Sequence, residues 1–149
     1  MLMPGEITLN IESLEQMELR LAVAPFFLDS RASELISFIS CCPYPAWIKD
    51  YDTRMIYVNP AYETEYKVTV EEYNTKLDFE MWHNDSSKEY GINDKAVMES
   101  HEHVELQETY VDIHGGEHIL NVVKWPLSRE GDIIGVAGMV IPTWQRMLN

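Results

Sequence analysis

Lys124, Glu108 and Lys49 are the charged side chains whose setting could do chemistry, because each sits among alternating apolar residues rather than in a polar loop. Glu108 lies in the run His103 to Ile113 and Lys124 in the run His118 to Leu127. With Gly115-Gly116-Glu117 as a three-residue loop between them, Asp112 falls near Leu120, Tyr110 near Val122 and Glu108 near Lys124. Side chains alternate along a strand, so Leu120, Val122 and Lys124 share one face with Glu108 and Tyr110. If that face lines a cavity, Lys124, with Lys49 of an earlier strand, can receive a ligand carboxylate or other polar group while Glu108 holds the amine. The plainer reading is an internal salt bridge that fixes strand register. A two-residue loop would shift the register and separate the pair.

Other chemistry is poorly supported. His101 and His103 are two apart, but neither His114 nor His118 completes a ligand set of diagnostic spacing, so no metal site is expected. The carboxylates Asp94 and Glu99 form no acid and base pair and read as a solvated helix face. There is no glycine-rich phosphate loop, no Gly-x-Ser-x-Gly elbow and no cysteine set beside a histidine, so no catalytic residue is assigned and the chain is not expected to be an enzyme. Cys41 and Cys42 are neighbours, a poor geometry for a disulfide, which suits a reducing cytoplasm. A formal charge of -14 opposes direct binding to nucleic acid or an anionic membrane. No apolar run approaches the roughly 20 residues of a membrane span, and the acidic start lacks a signal peptide's basic residues.

The elements that must position these side chains follow from periodicity and caps. In the leader, Leu14, Met17, Leu21 and Ala24 mark a helical stripe over Ile11 to Phe27, and Leu35, Ile36 and Ile39 mark another over Ser33 to Cys42, ended by Pro43. These helices serve as a cap on the sheet, or as a dimer interface or signal-carrying arm. Ala46 to Lys49 and Met55 to Val58 form a tight hairpin, after which Asn59 caps a helix with Pro60 at its first position. Thr69-Val70-Glu71-Glu72 is a capping box. Ser86 to Ser100 is a longer helix, weakened in its middle by Gly91 and Asn93. Three strands close the fold, the last running from Asp132 to Ile141 after Arg129-Glu130-Gly131. The fold class is α+β: a five-stranded antiparallel sheet with short helices on one face and an N-terminal helical leader. The divisions are 1–42 for the leader, 43–142 for the folded domain and 143–149 for the tail.

Residues 43 to 141 resemble a PAS domain, through PAWIKD, MIYVNPAY, GINDKAVMES, ETYVDIHGG, VVKWPL and GDIIGVAGMVI in that order. The resemblance implies a curved sheet gripping a cavity against the helices, and a sensory or signalling role. In some members the cavity holds haem, flavin or a small metabolite; in others nothing is known to occupy it. The Asn-Cys-Arg-Phe-Leu-Gln run of flavin photosensors is absent, so cysteine-flavin photochemistry is not expected. Haem is disfavoured because Lys88 to Ser100 holds no histidine, with His101 and His103 just beyond it; the identity of any cofactor is otherwise open. The cavity candidates are Trp47, Lys49, Tyr57, Met98, Glu108, Tyr110, Leu120, Val122, Lys124, Val136 and Val140. The opposite face gathers Ile119, Val123, Trp125, Ala137 and Met139, an apolar patch that the leader or a second subunit should bury, and a homodimer is expected. The alternative to a ligand sensor is an interaction module whose bulky side chains fill the core. The chain closes at Met147-Leu148-Asn149 without an output domain, so a histidine kinase or DNA-binding regulator, implied only by the resemblance, is expected on a separate partner or beyond a fragment's end.

Overall fold

The structure, a computed structural model, describes residues 30–142. The helix expected over Ile11 to Phe27 and the tail 143–149 lie outside the described residues. Helix α1 (Ser30–Ser40) leads into strands β1 (Ala46–Asp50) and β2 (Met55–Val58). Four helices follow, α2 (Pro60–Tyr66), α3 (Val70–Tyr73), α4 (Asp78–Trp82) and α5 (Asp85–Ser100), then strands β3 (Val104–Val111), β4 (Glu117–Arg129) and β5 (Asp132–Ile141). The strands form one five-stranded sheet in the order β2-β1-β5-β4-β3, every pairing antiparallel.

Local chemistry accounts for most boundaries. Asn59 accepts from Tyr62 N at the start of α2, with Pro60 at the first helical position. The same side chain accepts from Ala46 N at 3.0 Å and donates to the carbonyls of Ile39, Cys42 and Tyr44. One fully buried amide thus ties the end of α1, the start of β1 and the start of α2. Thr69 and Glu72 form the expected capping box at α3. Helix α5 is continuous through Gly91 and Asn93, so the weakened middle does not break. Asn84 and Ser87 cap its start, and the Asn93 side chain donates to Glu108 Oε2 at 3.0 Å instead of competing for the helix backbone. Helix α4 was not expected from the sequence; its residues show no run long enough for periodicity to register.

The β3–β4 register differs from the expected one. The loop is Ile113-His114-Gly115, with Gly115 at φ +82°, and Asp112 Oδ1 accepts from His114 N and Gly116 N. Glu117 therefore joins β4 opposite Val111, and Glu108 faces Leu120, four positions from the expected Lys124, which pairs with Val104. The shift is even, so every side chain keeps its face.

The core lies on both sides of the sheet. Ile36 and Ile39 of α1 are buried with Ala46, Ile48 and Ala137 on the outer face, each isoleucine worth roughly 1.5–3 kcal/mol of burial. Helices α2 to α5 cover the inner face. Among the described residues no helix is long and apolar enough to cross a membrane.

Candidate functional site

Between the inner sheet face and the helices lies a cavity of about 40 Å³. Its wall contains Trp47 and Lys49 of β1, Met55 of β2, Glu108 and Tyr110 of β3, Leu120 and Val122 of β4 and Val140 of β5. The helices add Tyr62, Tyr66, Asp78, Trp82 and Tyr90. The rings meet edge to face: Tyr62 and Tyr66 centroids are 4.7 Å apart, Tyr66 and Tyr110 4.8 Å, Trp82 and Tyr110 5.9 Å, a geometry that aromatic quadrupoles favour. Trp47 lies flat across Gly138 of the neighbouring strand, where a Cβ would come within 2.3 Å of its ring. The glycine makes room for the indole.

A buried charge chain underlies one side of the cavity. Lys49 Nζ is 2.5 Å from Asp78 Oδ2 and 2.6 Å from Asp94 Oδ2, and Lys124 Nζ is 2.6 Å from both Asp94 Oδ1 and Glu108 Oε2. Tyr73 donates to Asp78 Oδ1, and Trp82 Nε1 donates to Tyr73 at 2.9 Å. Burial alone would lower the Lys49 pKa, but the charges and hydrogen bonds of Asp78 and Asp94 together outweigh it and raise it above its ordinary value. Burial likewise pushes Asp94 up, and Lys49 and Lys124 more than reverse this, holding it below the usual carboxylate range. The network crosslinks α4, α5, β1, β3 and β4.

The expected cavity residues separate into groups. Trp47, Lys49, Glu108, Tyr110, Leu120, Val122 and Val140 stand together in the wall. Lys124 meets Glu108 as expected, but diagonally and fully buried behind the wall, so it is not placed to grip a ligand. Tyr57 pairs with Ile48 on the outer face, beside Ser40 of α1, and so lies outside the cavity. Met98 and Val136 pack with Val97 in a separate small core beyond the charge chain. Asp94, read as a solvated carboxylate, is fully buried; Glu99 is exposed. Residues the sequence reading missed are Asp78, Trp82, Met55, Tyr90, Tyr62 and Tyr66. The four-residue spacing of Tyr62 and Tyr66 behind the Asn59 cap was the available signal, since it puts both rings on one helix face.

On the outer face Ala137 is buried beneath α1, and Met139 is half-buried with its sulfur 3.5 Å from Cys42 Sγ. Val123 and Trp125 are half-buried, and Ile119 is 56% exposed. Helix α1 thus covers the β1 and β5 part of the patch and not its β4 end. The histidines are dispersed: His101 caps α5, His114 sits in the β3–β4 loop, and His118 Nε2 is 2.7 Å from Asp112 Oδ2.

Five antiparallel strands in this order, with short helices enclosing a cavity on one face, are the architecture of a PAS domain. The PAS fold family model matches residues 42–146, and the chain belongs to that family. No curated relative matches it. Among solved structures it is similar to the Vibrio cholerae VqmA dimer, described without its target DNA, at 24% identity and TM-score 0.62, covering 72% of this chain and 49% of that one. It is similar to the phage VqmA-DPO complex at 20% identity and TM-score 0.68, covering 80% and 57%. The PAS domain of Bordetella pertussis BvgS matches at 18% identity and TM-score 0.65, covering 80% and 93%. The chain spans about half the length of the Vibrio VqmA structure, and at these identities the likeness is one of fold.

Proposed function

We propose that this PAS domain is a sensor that binds a small molecule in its central cavity and passes the occupied or empty state to an output partner through α1 and the outer sheet face. The observation that carries the reading is the cavity itself. Protein interiors pack closely, and a space of about 40 Å³ inside a ring of aromatic side chains exceeds the ~10–15 Å³ one water requires. The charge chain joins that wall to two helices and three strands, so a ligand that moves Lys49, Asp78 or Glu108 acts on all of them. The phage VqmA complex with DPO supports ligand sensing, and the Vibrio VqmA work on target DNA supports an output at a DNA-binding regulator; a histidine kinase is the other output. The role is binding rather than catalysis, in the cytoplasm.

Native mass spectrometry of the full chain tests this. A retained or added small molecule, lost when Leu120→Trp fills the cavity, is the expected result. A wild-type protein that takes up nothing from a metabolite extract would sink it.

A second reading, a homodimerisation module, is favoured by the exposed Ile119 beside half-buried Val123 and Trp125. It is compatible with sensing, since a dimer contact there adjoins α1.

A further inference from the structure

The two edges of the sheet differ in what meets them. At one end β2 is covered by the chain before α4: Met55 N donates to Lys76 O at 2.9 Å, Thr75 N to Met55 O at 2.7 Å and the Asn74 amide to Ile56 O at 2.9 Å. At the other end β3 pairs with β4 alone. The bond from Asp112 N to Gly116 O sets the alternation, so Tyr110, Glu108, Leu106 and Val104 exchange main-chain bonds with β4. The N–H groups of Glu105, Gln107, Thr109 and Val111 therefore point away from the sheet, and no described residue accepts from them. Of the matching carbonyls, Thr109 O accepts from the Tyr90 hydroxyl. Proteins usually blunt such an edge with a proline, a lysine, a bulge or a cover. Strand β3 reads VELQETYV, without proline or lysine, and its ladder with β4 runs without a bulge.

The charges around this edge decide what it accepts. On the outer side Glu105 and Glu117, which stands across from Val111, are exposed near its two ends. On the inner side exposed Glu89 lies one turn before Asn93, on the flank of α5 that reaches β3. No Lys or Arg lies on β3, and Lys124 is held by Asp94 and Glu108. A second copy would bring the same carboxylates against these. The leader matches no better, with Glu6, Glu12, Glu15, Glu18 and Asp29 against Arg20.

We infer that the β3 edge is a docking site for an extended segment of a separate protein, which adds as a further antiparallel strand and carries Lys or Arg at alternate positions beside Glu105 and Glu117. Main-chain bonds to Glu105, Gln107 and Val111 supply affinity, and the alternate side chains supply choice. Between the two carboxylates an apolar side chain of the segment meets Ile119, which is exposed and faces Thr109 across the ladder. The surface is separate from the cavity, and its test uses no cavity ligand.

Amide hydrogen exchange and calorimetry of the full chain with the peptide acetyl-KVRVTVKV-amide test this. In the free chain the amides of Glu105, Gln107 and Val111 should exchange faster than those of Leu106, Glu108 and Tyr110, and the peptide should slow the first set at least about tenfold. The acidic peptide acetyl-EVDVTVEV-amide should bind at least about tenfold more weakly. Of the two alternately N-methylated forms of the basic peptide, one should lose binding and the other keep it, because only one set of its N–H groups faces β3. Gln107→Pro removes an edge N–H without touching the β4 ladder and should abolish binding; if it fails to fold, the N-methylated pair carries the same test from the peptide's side. Tyr90→Phe frees Thr109 O and should tighten binding by about three- to tenfold. No binding of the basic peptide overturns the proposal, as does equal binding of the acidic one. Binding that shifts Val123 and Trp125 while the Glu105, Gln107 and Val111 amides stay unprotected also overturns it. So does protection of those amides before any peptide is added: independent of concentration, it means that the leader or tail covers the edge, and rising with concentration, that a second copy does.

Discussion

Asn59 shows how much one side chain can hold. Its amide makes five hydrogen bonds to the backbone of α1, the following turn, β1 and α2, all in a site without solvent. Asn59→Ala leaves several backbone groups unmatched, so a loss on the order of 3 kcal/mol is expected in urea unfolding. Asp94 is the corresponding residue of the charge chain. Asp94→Asn removes the carboxylate that two buried amines share, while Lys49 keeps Asp78 and Lys124 keeps Glu108, and should cost about 1.5–3 kcal/mol at neutral pH. The sign with pH follows from the shifts. Asp94 titrates below its ordinary 3.8 in the folded state, so its stabilisation is present above 3.8 and is lost as pH falls through the depressed value. Lys49 titrates above its ordinary 10.5, so its contribution is present below 10.5 and is lost as pH rises through the raised value. The stability gap between wild type and Asp94→Asn should therefore narrow below about pH 4, measured by denaturant midpoints across the range. A gap independent of pH would remove Asp94 from the charge balance. At this scale the pairing of Glu108 with Lys124 was legible though its register was not, because both sit on one sheet face and an even shift keeps them there. Asp94 was not, since a carboxylate in a polar helical stretch looks solvated until the lysines beneath it are placed.

At the scale of elements, local signals carried well. The Asn59 and Thr69 caps, the β1–β2 hairpin and the Glu130-Gly131 turn, with both residues at positive φ, lie where the sequence marks them. The β3–β4 loop did not, because Gly115 and Gly116 adjoin and only one of them takes the left-handed position. Asp112 made the choice by accepting from His114 N and Gly116 N. Strand β5 carries the next prediction. Gly138 lies under Trp47, and Gly138→Ala drives a methyl into the indole, so a loss of about 1–3 kcal/mol is expected together with a shift of the Trp47 ring resonances. Unchanged stability and spectra would mean that the ring does not rest on the sheet.

The whole molecule divides its two faces between different tasks. The inner face meets helices around a cavity and a charge chain, while the outer face meets α1 and leaves the β4 end less covered. Trp125→Glu tests that end: light scattering should show a smaller assembly than wild type, and an unchanged mass with unchanged stability would exclude the outer face as a dimer contact. Taken by itself, the sequence determined the strands, the starts of α2 and α3, the α+β class and which side chains share a face, because alternation, caps and turn residues act over a few neighbours. Only the tertiary structure decided which carboxylates answer the buried lysines and which rings close the cavity. Those partners come from helices α2, α4 and α5, and no local rule specifies how such helices lie across a sheet; burial of charge and packing of aromatic rings settle it together.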